Sequence, residues 1–280
     1  MSPAIIPENP VRLSRLVRRI TQNNPGLLTG PGTNTYFIGE GSLLILDPGQ
    51  NTDAHFEAIC AEAEGFEILG IAATHAHPDH WPMAPRLAAR LRCDTMGFEP
   101  KNGFKPAVLL KDGGTIDGKG WKLRVVHTPG HSSDHVCFYL PEEKALFTGD
   151  HVMGWSTSVI MASDGNLRGY LASLERILDL DVTVSYPGHG DPIRDTGIRV
   201  RELISHRHMR TREIVSALHR GLKTIPEVVA SVYADVDPRL HGMAHNSVLA
   251  HMKALVESGE VIVVRNQPNP LDSEYALKDD

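Results

Sequence analysis

Four potential metal ligands lie within six residues, in the run Thr74-His75-Ala76-His77-Pro78-Asp79-His80. The run directly follows a short apolar stretch, Ile68–Ala73, which is typical of a buried β-strand. Imidazole and carboxylate groups are ligands that zinc, iron and manganese accept in proteins. A turn of the form H-x-H-x-D-H can serve two metal ions, with His75 and His77 directed to one ion and Asp79 and His80 to the other. The run therefore predicts a metal site at a strand end.

Three further ligand-type side chains each follow an apolar run that ends in a turn of small residues. They are His131 after Leu123–Val126, Asp150 after Ala145–Phe147 and His189 after Val182–Ser185. Strand ends that share one edge of a sheet bring the turns after them together. We therefore expect these three residues and the run at 75–80 to converge in one cavity.

The elements that must position these residues are short strands alternating with amphipathic helices. The predicted strands are Leu43–Leu46, Ile68–Ala73, Leu123–Val126, Val136–Leu140, Ala145–Thr148 and Val182–Tyr186. Apolar residues with helical spacing predict helices at 56–63, 83–91 and 167–178, each with one face on a sheet.

The pattern changes near residue 198, where three helices precede two short strands. The helices are predicted at Ile198–Leu218, from a capping box at Thr224 to Tyr233, and at Ala244–Ser258, and the strands at Val261–Val264 and Tyr275–Leu277. This is the order of a winged-helix module. We predict two domains, residues 1–203 with the metal site and residues 204–280 with the winged helix.

Composition narrows the classes of function and compartment. The chain has 280 residues, a formal net charge of -6 and three cysteines. The acidic balance disfavours tight binding of long nucleic acid, and the odd, widely spaced cysteines do not form a disulfide framework. Because we see no signal peptide and no apolar run long enough for a bilayer, we expect a soluble cytoplasmic protein that does not bind a membrane.

The ordered ligand set closely resembles that of the metallo-β-lactamase superfamily. The resemblance covers roughly the first two-thirds of the chain and implies an αββα sandwich, to which the small winged-helix domain is appended. It implies that His75, His77 and His131 hold a first metal ion, that three further residues hold a second metal ion, and that one carboxylate bridges both ions. The second set is Asp79, His80 and His189, and the bridging carboxylate is Asp150.

The chemistry that this resemblance implies is hydrolysis with two divalent metal ions. Zinc is the first candidate, and iron and manganese are the alternatives. A hydroxide that bridges the ions is the nucleophile. Asp79 and Asp150 are the predicted catalytic carboxylates, and Asp150 orients the hydroxide. The ligand set does not choose between a carbonyl and a phosphoryl centre.

Two further features favour one subgroup. The loop Gly30-Pro31-Gly32-Thr33-Asn34-Thr35-Tyr36 and the winged-helix tail are similar to the β-lactamase-like protein 2 group, whose mitochondrial animal member is an endoribonuclease on single-stranded RNA. The resemblance implies an RNA substrate, with Asn34, Trp81 and Trp155 as candidate substrate-binding residues. Many relatives have two glycines shortly after the last histidine of the motif, whereas this chain has the run His80-Trp81-Pro82-Met83. This difference predicts that the floor of the site is reshaped.

Three hypotheses for function remain open from the sequence. The first is an endoribonuclease, which a stripe of cations on the long helix would support: Arg199, Arg201, Arg207, Arg210, Arg212, Arg220 and Lys223. The second is a hydrolase of a small ester, thioester, lactone or lactam. The third is a non-enzymatic winged-helix binding protein. Lys253 is the only cation of the candidate recognition helix, so sequence-specific binding of duplex DNA is not expected, and we predict that the winged helix is a lid, a homodimer surface or a substrate-shaping element.

Overall fold

The computed structural model describes residues 5–235, residue 237 and residues 241–278. Within these residues the chain divides into two compact units. The first comprises residues 5–128, 134–158 and 177–199, and the second comprises residues 129–133, 159–176 and the described residues from 200 onward.

The first unit contains a sheet of seven strands in the order in which they occur along the chain. The strands are β1 (Val11–Arg12), β2 (Val17–Thr21), β3 (Asn34–Ile38), β4 (Ser42–Leu46), β5 (Glu67–Ala72), β6 (Thr95–Gly97) and β7 (Val108–Leu109). The pairings from β1 to β4 are antiparallel and those from β4 to β7 are parallel. Every residue of β4 is buried, as is usual for a strand covered on both faces.

A second sheet of the same unit has six strands in the order β13-β12-β11-β10-β9-β8. They are β8 (Thr115–Gly118), β9 (Trp121–His127), β10 (Val136–Leu140), β11 (Ala145–Gly149), β12 (Val184–Pro187) and β13 (Ile193–Arg194). Buried and exposed residues alternate along the first half of β9, which is the pattern of a strand with one face in a core. Only β11 and β12 pair in parallel.

Two apolar clusters hold the first unit together. One lies between the sheets and includes Tyr36 and Leu44 from the first sheet with Phe138 and Phe147 from the second. The other lies between the opposite face of the first sheet and the helices α1 (Asp53–Glu62) and α2 (Ala84–Leu91). Packing on both faces of the first sheet fixes the ends of its central strands.

The second unit contains most of α3 (Leu167–Leu178) and α4 (Thr196–His219), together with α5 (Ile225–Val232), α6 (His241–Ser258), β14 (Val261–Arg265) and β15 (Glu274–Leu277). The last two strands form an antiparallel hairpin. Glu227 accepts a hydrogen bond from the Thr224 backbone amide at 2.9 Å, which caps α5 at its predicted start. Val248, Met252 and Leu255 of α6 are buried. The predicted order of three helices followed by a hairpin is therefore present.

All eight predicted strands and the helices of both regions are observed, with small differences at their ends. The prediction gave no bounds for β1, β2, β3, β6, β7, β8 and β13, and four of these, β1, β7, β8 and β13, are short edge strands. The second predicted helix begins at Ala84, so Pro82 precedes its first turn. Among the described residues, no helix has the length and apolar character needed to cross a membrane.

Candidate metal centre

The predicted ligands follow strand ends that lie side by side. In the first sheet, β4 and β5 are parallel neighbours, and the run His75–His80 follows β5. In the second sheet, β11 and β12 are parallel neighbours, with Asp150 directly after β11 and His189 two residues after β12. Because parallel strands end at the same edge of their sheet, each pair presents its turns together.

Asp79, His80, Asp150 and His189 form one cluster whose ligand atoms all lie within 4.8 Å of one another. Asp150 Oδ1 lies 3.5 Å from His80 Nε2 and 3.3 Å from His189 Nε2. Asp79 Oδ2 lies 3.7 Å and 3.3 Å from the same two nitrogen atoms. Two carboxylates and two imidazoles thus face one point, which is a donor set suited to a divalent metal ion.

The burial of this cluster supports the same assignment. Neither His80 nor His189 has any exposed surface, and the Nε2 atom of each is buried without a hydrogen bond. Buried polar atoms in proteins are normally hydrogen-bonded, so these two ring nitrogens support the prediction that His80 and His189 are metal ligands. Gly188 leaves room for them, because a Cβ atom there would lie 2.7 Å from Asp150 Oδ1 and 2.8 Å from His80 Cε1.

The electrostatics of the cluster favour a cation at its centre. Burial opposes the charged form of His80, but the carboxylates of Asp79, Asp47 and Asp150 raise the pKa of His80 well above its ordinary value. Burial likewise opposes the charge on His189, and Asp150 outweighs it, which raises the pKa of His189 to about 9. A pocket that draws protons onto its imidazoles without a metal is one in which a divalent ion can replace those protons.

The histidines predicted for the first metal ion lie in both units. In the first unit, His75 Nε2 and His77 Nδ1 are 2.9 Å apart. In the second unit, His131 Nδ1 hydrogen-bonds to the Val159 carbonyl oxygen at 2.6 Å. The carbonyl can only accept, so Nδ1 of His131 carries the proton and Nε2 holds the lone pair that a metal ion requires.

Asp47 contacts the cluster and is absent from our sequence prediction. It follows β4 directly and is buried, with φ of 51°. Its Oδ2 accepts hydrogen bonds from His80 Nδ1 at 3.0 Å and from Thr74 Oγ1 at 2.9 Å, and its Oδ1 accepts one from the Thr74 amide at 2.7 Å. It therefore fixes the tautomer of His80 and directs His80 Nε2 into the cluster. The signal was available, because Asp47 follows a predicted strand in the same way as Asp150.

Asn34, a predicted substrate contact, is fully buried and contacts the loop that carries His189. Its Nδ2 donates hydrogen bonds to the carbonyl oxygens of Pro187 at 3.0 Å and Gly190 at 2.8 Å. Its Oδ1 accepts one from Thr21 Oγ1 at 2.8 Å. These contacts position the His189 turn, and a direct contact between Asn34 and substrate stays a prediction.

The two candidate tryptophans have different environments. Trp81 is half-buried, packs on the cluster between the first sheet and α2, and stacks on Phe104 with 5.1 Å between ring centroids. Met83 is fully buried in the same cluster. Trp155 is 47% exposed on the loop after β11. Of the two, Trp155 has the surface that a substrate could cover.

The chain matches the metallo-β-lactamase superfamily over residues 28–189 and the β-lactamase associated winged helix domain over residues 224–266. Among curated relatives, the β-lactamase-like protein 2 homolog of Caenorhabditis elegans is 34% identical over 92% of this chain and 90% of that protein. The atrochrysone carboxyl ACP thioesterase of Aspergillus chevalieri is 34% identical over 80% of this chain and 75% of its own length.

Solved structures show the same fold. A β-lactamase domain protein from Burkholderia ambifaria superposes with a TM-score of 0.81 over 99% of this chain and 96% of its own, at 22% identity. A relative solved in a di-iron-bound form has a TM-score of 0.54, with 26% identity over 65% of this chain and 96% of its own. The predicted fold class is confirmed, and the chain belongs to the metallo-β-lactamase superfamily, as a hydrolase with a C-terminal winged helix.

Proposed function

We propose that this protein hydrolyses a thioester with the help of two divalent metal ions, for which zinc is the first candidate. The observation that carries the metal assignment is the buried cluster of Asp79, His80, Asp150 and His189 with its inward-facing ring nitrogens. Iron and manganese accept the same donor set, so the identity of the metal is an outcome of the test.

The proposed ligands divide into two sets. His75, His77 and His131 would hold the first ion, and Asp79, His80 and His189 would hold the second. Asp150, whose carboxylate has two oxygens, would be the ligand that both ions share. When bound, the ions would lower the pKa of a water molecule toward neutrality and act as Lewis acids on a carbonyl oxygen.

The protein's own carboxylates carry the remaining steps. Asp150 is buried, and its Oδ1 lies 3.3 Å from His189 Nε2 among the proposed ligands, beside which we place the attacking water. Its role is to orient that water toward the carbonyl carbon. The Asp79 side chain is 20% exposed, so it is the carboxylate from which a proton can pass to solvent or to the leaving thiolate.

The proposal of a thioester substrate rests on a relative and on an exposed apolar turn of the first unit. One relative at 34% identity is named as a thioesterase that acts on an acyl carrier protein. Leu27 and Leu28, in a loop of the first unit, are 62% and 53% exposed, which suits an acyl chain better than a phosphodiester.

A second candidate function is cleavage of single-stranded RNA, which exposed cations on α4 favour. Arg201 and Arg212 are exposed on that helix, and Arg220 and Lys223 are exposed just after it. The remaining cations of the predicted stripe make internal contacts. Arg199 donates to the carbonyls of Met153 and Ser156, Arg207 is buried beside Tyr170, and Arg210 contacts Glu213 and Tyr233. A stripe reduced in this way is a weaker path for a phosphate backbone.

The cation of the predicted recognition helix is exposed but is already hydrogen-bonded within its own unit, which disfavours a contact with DNA. Lys253 of α6 donates its ammonium group to the Ala162 carbonyl oxygen at 2.7 Å within the second unit. Neither homodimer formation nor a lid role has a direct observation here, and both stay predictions.

One purified sample decides between the candidates. Metal content is measured by mass spectrometry, and the sample is then tested on acyl thioesters of pantetheine and on a labelled single-stranded RNA. His77→Ala is the test variant, and His219→Ala is the matched control because His219 is exposed at the end of α4.

We expect about two ions per chain, thioester hydrolysis by the wild-type protein and the control, and loss of activity in His77→Ala. RNA cleavage without thioester hydrolysis would transfer the proposal to the second candidate. Less than one ion per chain after addition of zinc would contradict both.

A further inference from the structure

The Trp155 side chain rests on two glycines that are far apart in the sequence. A Cβ atom at Gly30 would lie 3.0 Å from Trp155 Cζ2 and 3.1 Å from Cε2. A Cβ atom at Gly190 would lie 2.8 Å from Trp155 Cδ1 and 3.2 Å from Nε1. Both glycines also have positive φ, 54° and 83°, which glycine adopts readily. The side of the indole that carries the N–H group is therefore packed on the two glycines, while 47% of the residue remains exposed.

Arg199 holds the loop that carries Trp155 through two backbone carbonyl oxygens. Arg199 Nε donates to the Met153 carbonyl oxygen and Nη2 donates to the Ser156 carbonyl oxygen, both at 2.8 Å. These carbonyls flank Trp155 on either side. A guanidinium that bridges them fixes the backbone of the loop, and so the indole is preorganised instead of being a mobile surface residue.

The position of the indole connects it to the metal centre. Gly190 directly follows His189, one of the ligands proposed for the second ion. The Gly190 carbonyl oxygen is held by Asn34 Nδ2 at 2.8 Å and by Arg19 Nη1 at 3.2 Å. A substrate whose carbonyl group reaches the metal ions would therefore extend past this residue and over the exposed indole.

The surroundings of the indole favour an apolar group over a nucleotide. Leu27 and Leu28 lie in the turn closed by the hydrogen bonds between Gly26 and Gly30, and both are largely exposed. Arg19 is 5% exposed and lies 3.8 Å from Asp191, and Arg199 is occupied by backbone carbonyls. The arginines that contact these loops are thus turned inward, and the exposed Asp191 carboxylate beside Gly190 would repel a phosphate.

We infer that Trp155 is a specificity-determining platform that binds a planar aromatic acyl group of the substrate, with Gly30 and Gly190 as its support and Arg199 as a positioning residue. This inference names the acyl group of the proposed thioester and so rests on the proposed function. Aromatic stacking on the exposed indole face supplies the preference, which we expect to be about tenfold in kcat/KM.

The kinetic test compares two thioesters that differ only in the acyl group, benzoyl and acetyl pantetheine. In Trp155→Ala we expect the ratio of kcat/KM for benzoyl over acetyl to fall about tenfold, mainly through KM. Trp155→Phe should restore much of the ratio because it keeps an aromatic face. Arg199→Lys should lower the ratio as well, because a single ammonium group cannot bridge both carbonyls. His219→Ala is the control and should keep the wild-type ratio.

A binding measurement without turnover separates this inference from the proposed function. The indole N–H signal of Trp155, assigned by its loss in Trp155→Phe, is followed by NMR during titration with benzoate and, separately, with adenosine monophosphate. A shift with benzoate alone supports the platform, even where no thioester is hydrolysed. A shift with the nucleotide alone, or no shift together with an unchanged benzoyl-to-acetyl ratio in Trp155→Ala, would overturn it.

Discussion

Replacing Asp47 with asparagine should weaken the second metal site without changing any proposed ligand. Asp47 Oδ2 accepts hydrogen bonds from His80 Nδ1 and Thr74 Oγ1, and Oδ1 accepts one from the Thr74 amide. An asparagine keeps one carbonyl oxygen for the Thr74 amide, but its amino group cannot accept from His80. The ring of His80 then loses both its orientation and the negative charge behind it.

The expected loss follows from these contacts. A hydrogen bond to a charged group contributes about 1.5–3 kcal/mol, and of the contacts that asparagine loses, only the one from His80 orients a ligand. Loss of such a partner typically lowers metal affinity by about 10- to 100-fold. The backbone should not be strained, because asparagine tolerates the positive φ of 51° at this position.

Metal retention during dialysis against a graded series of chelator concentrations measures this change, with metal content determined by mass spectrometry. Asp53→Asn is the matched control, because Asp53 has the same chemistry but is exposed and forms its ion pair with Arg86. We expect one of two ions to be lost at lower chelator concentration in Asp47→Asn. Equal retention in both variants would show that Asp47 does not support His80 as a ligand.

Three further predictions concern the loops and the stability of each unit. Gly190→Ala should lower the benzoyl-to-acetyl preference, since its Cβ would displace Trp155, and tryptophan fluorescence should report the movement. Burial and Arg207 lower the pKa of His251 to about 3. Between about pH 7.5 and pH 5, the histidine therefore takes up a proton only in the unfolded chain. The wild-type protein should lose about 2 kcal/mol of its free energy of unfolding over this range. His251→Gln should lack this loss in chemical denaturation. Glu8→Gln should lower the free energy of unfolding by about 1 kcal/mol at neutral pH. The hydrogen bonds of Glu8 lower the pKa of its carboxyl group. The difference in stability between the wild-type protein and the variant should therefore vanish as the pH falls through that pKa.

The cluster of proposed metal ligands could be predicted from the sequence because the positions of these residues depend on the backbone. Asp150 and His189 each follow an apolar run, and the parallel pairing of β11 and β12 places those ends together. The same reasoning should have selected Asp47, which follows the apolar run Leu43–Leu46. It was missed because a lone carboxylate before Pro-Gly also fits an ordinary turn.

Elements with buried polar residues were harder to predict. β2 reads Val-Arg-Arg-Ile-Thr, and its Arg19 is buried against the Gly190 carbonyl instead of facing solvent. The cations of α4 gave the opposite difficulty. Their number suggested a continuous basic stripe, but Arg207 and Arg210 turn toward Tyr170 and Tyr233. A count of charges gives no information on the direction of long side chains, which depends on the partners that the fold supplies.

The proposed metal ligands are positioned by the backbone, whereas the residues that would contact a substrate are positioned by distant side chains and loops. This difference explains why the sequence predicts the ligand cluster but not the substrate. A ligand such as His189 is placed by the strand that precedes it, and its spacing remains visible in the sequence. The indole of Trp155 is placed by Gly30 and Gly190, which lie far from it along the chain, so no local pattern reveals its support. We therefore expect the two properties to separate on mutation. Substitutions at Asp47 should release metal, while those at Trp155 should change which acyl group is preferred and leave two ions bound.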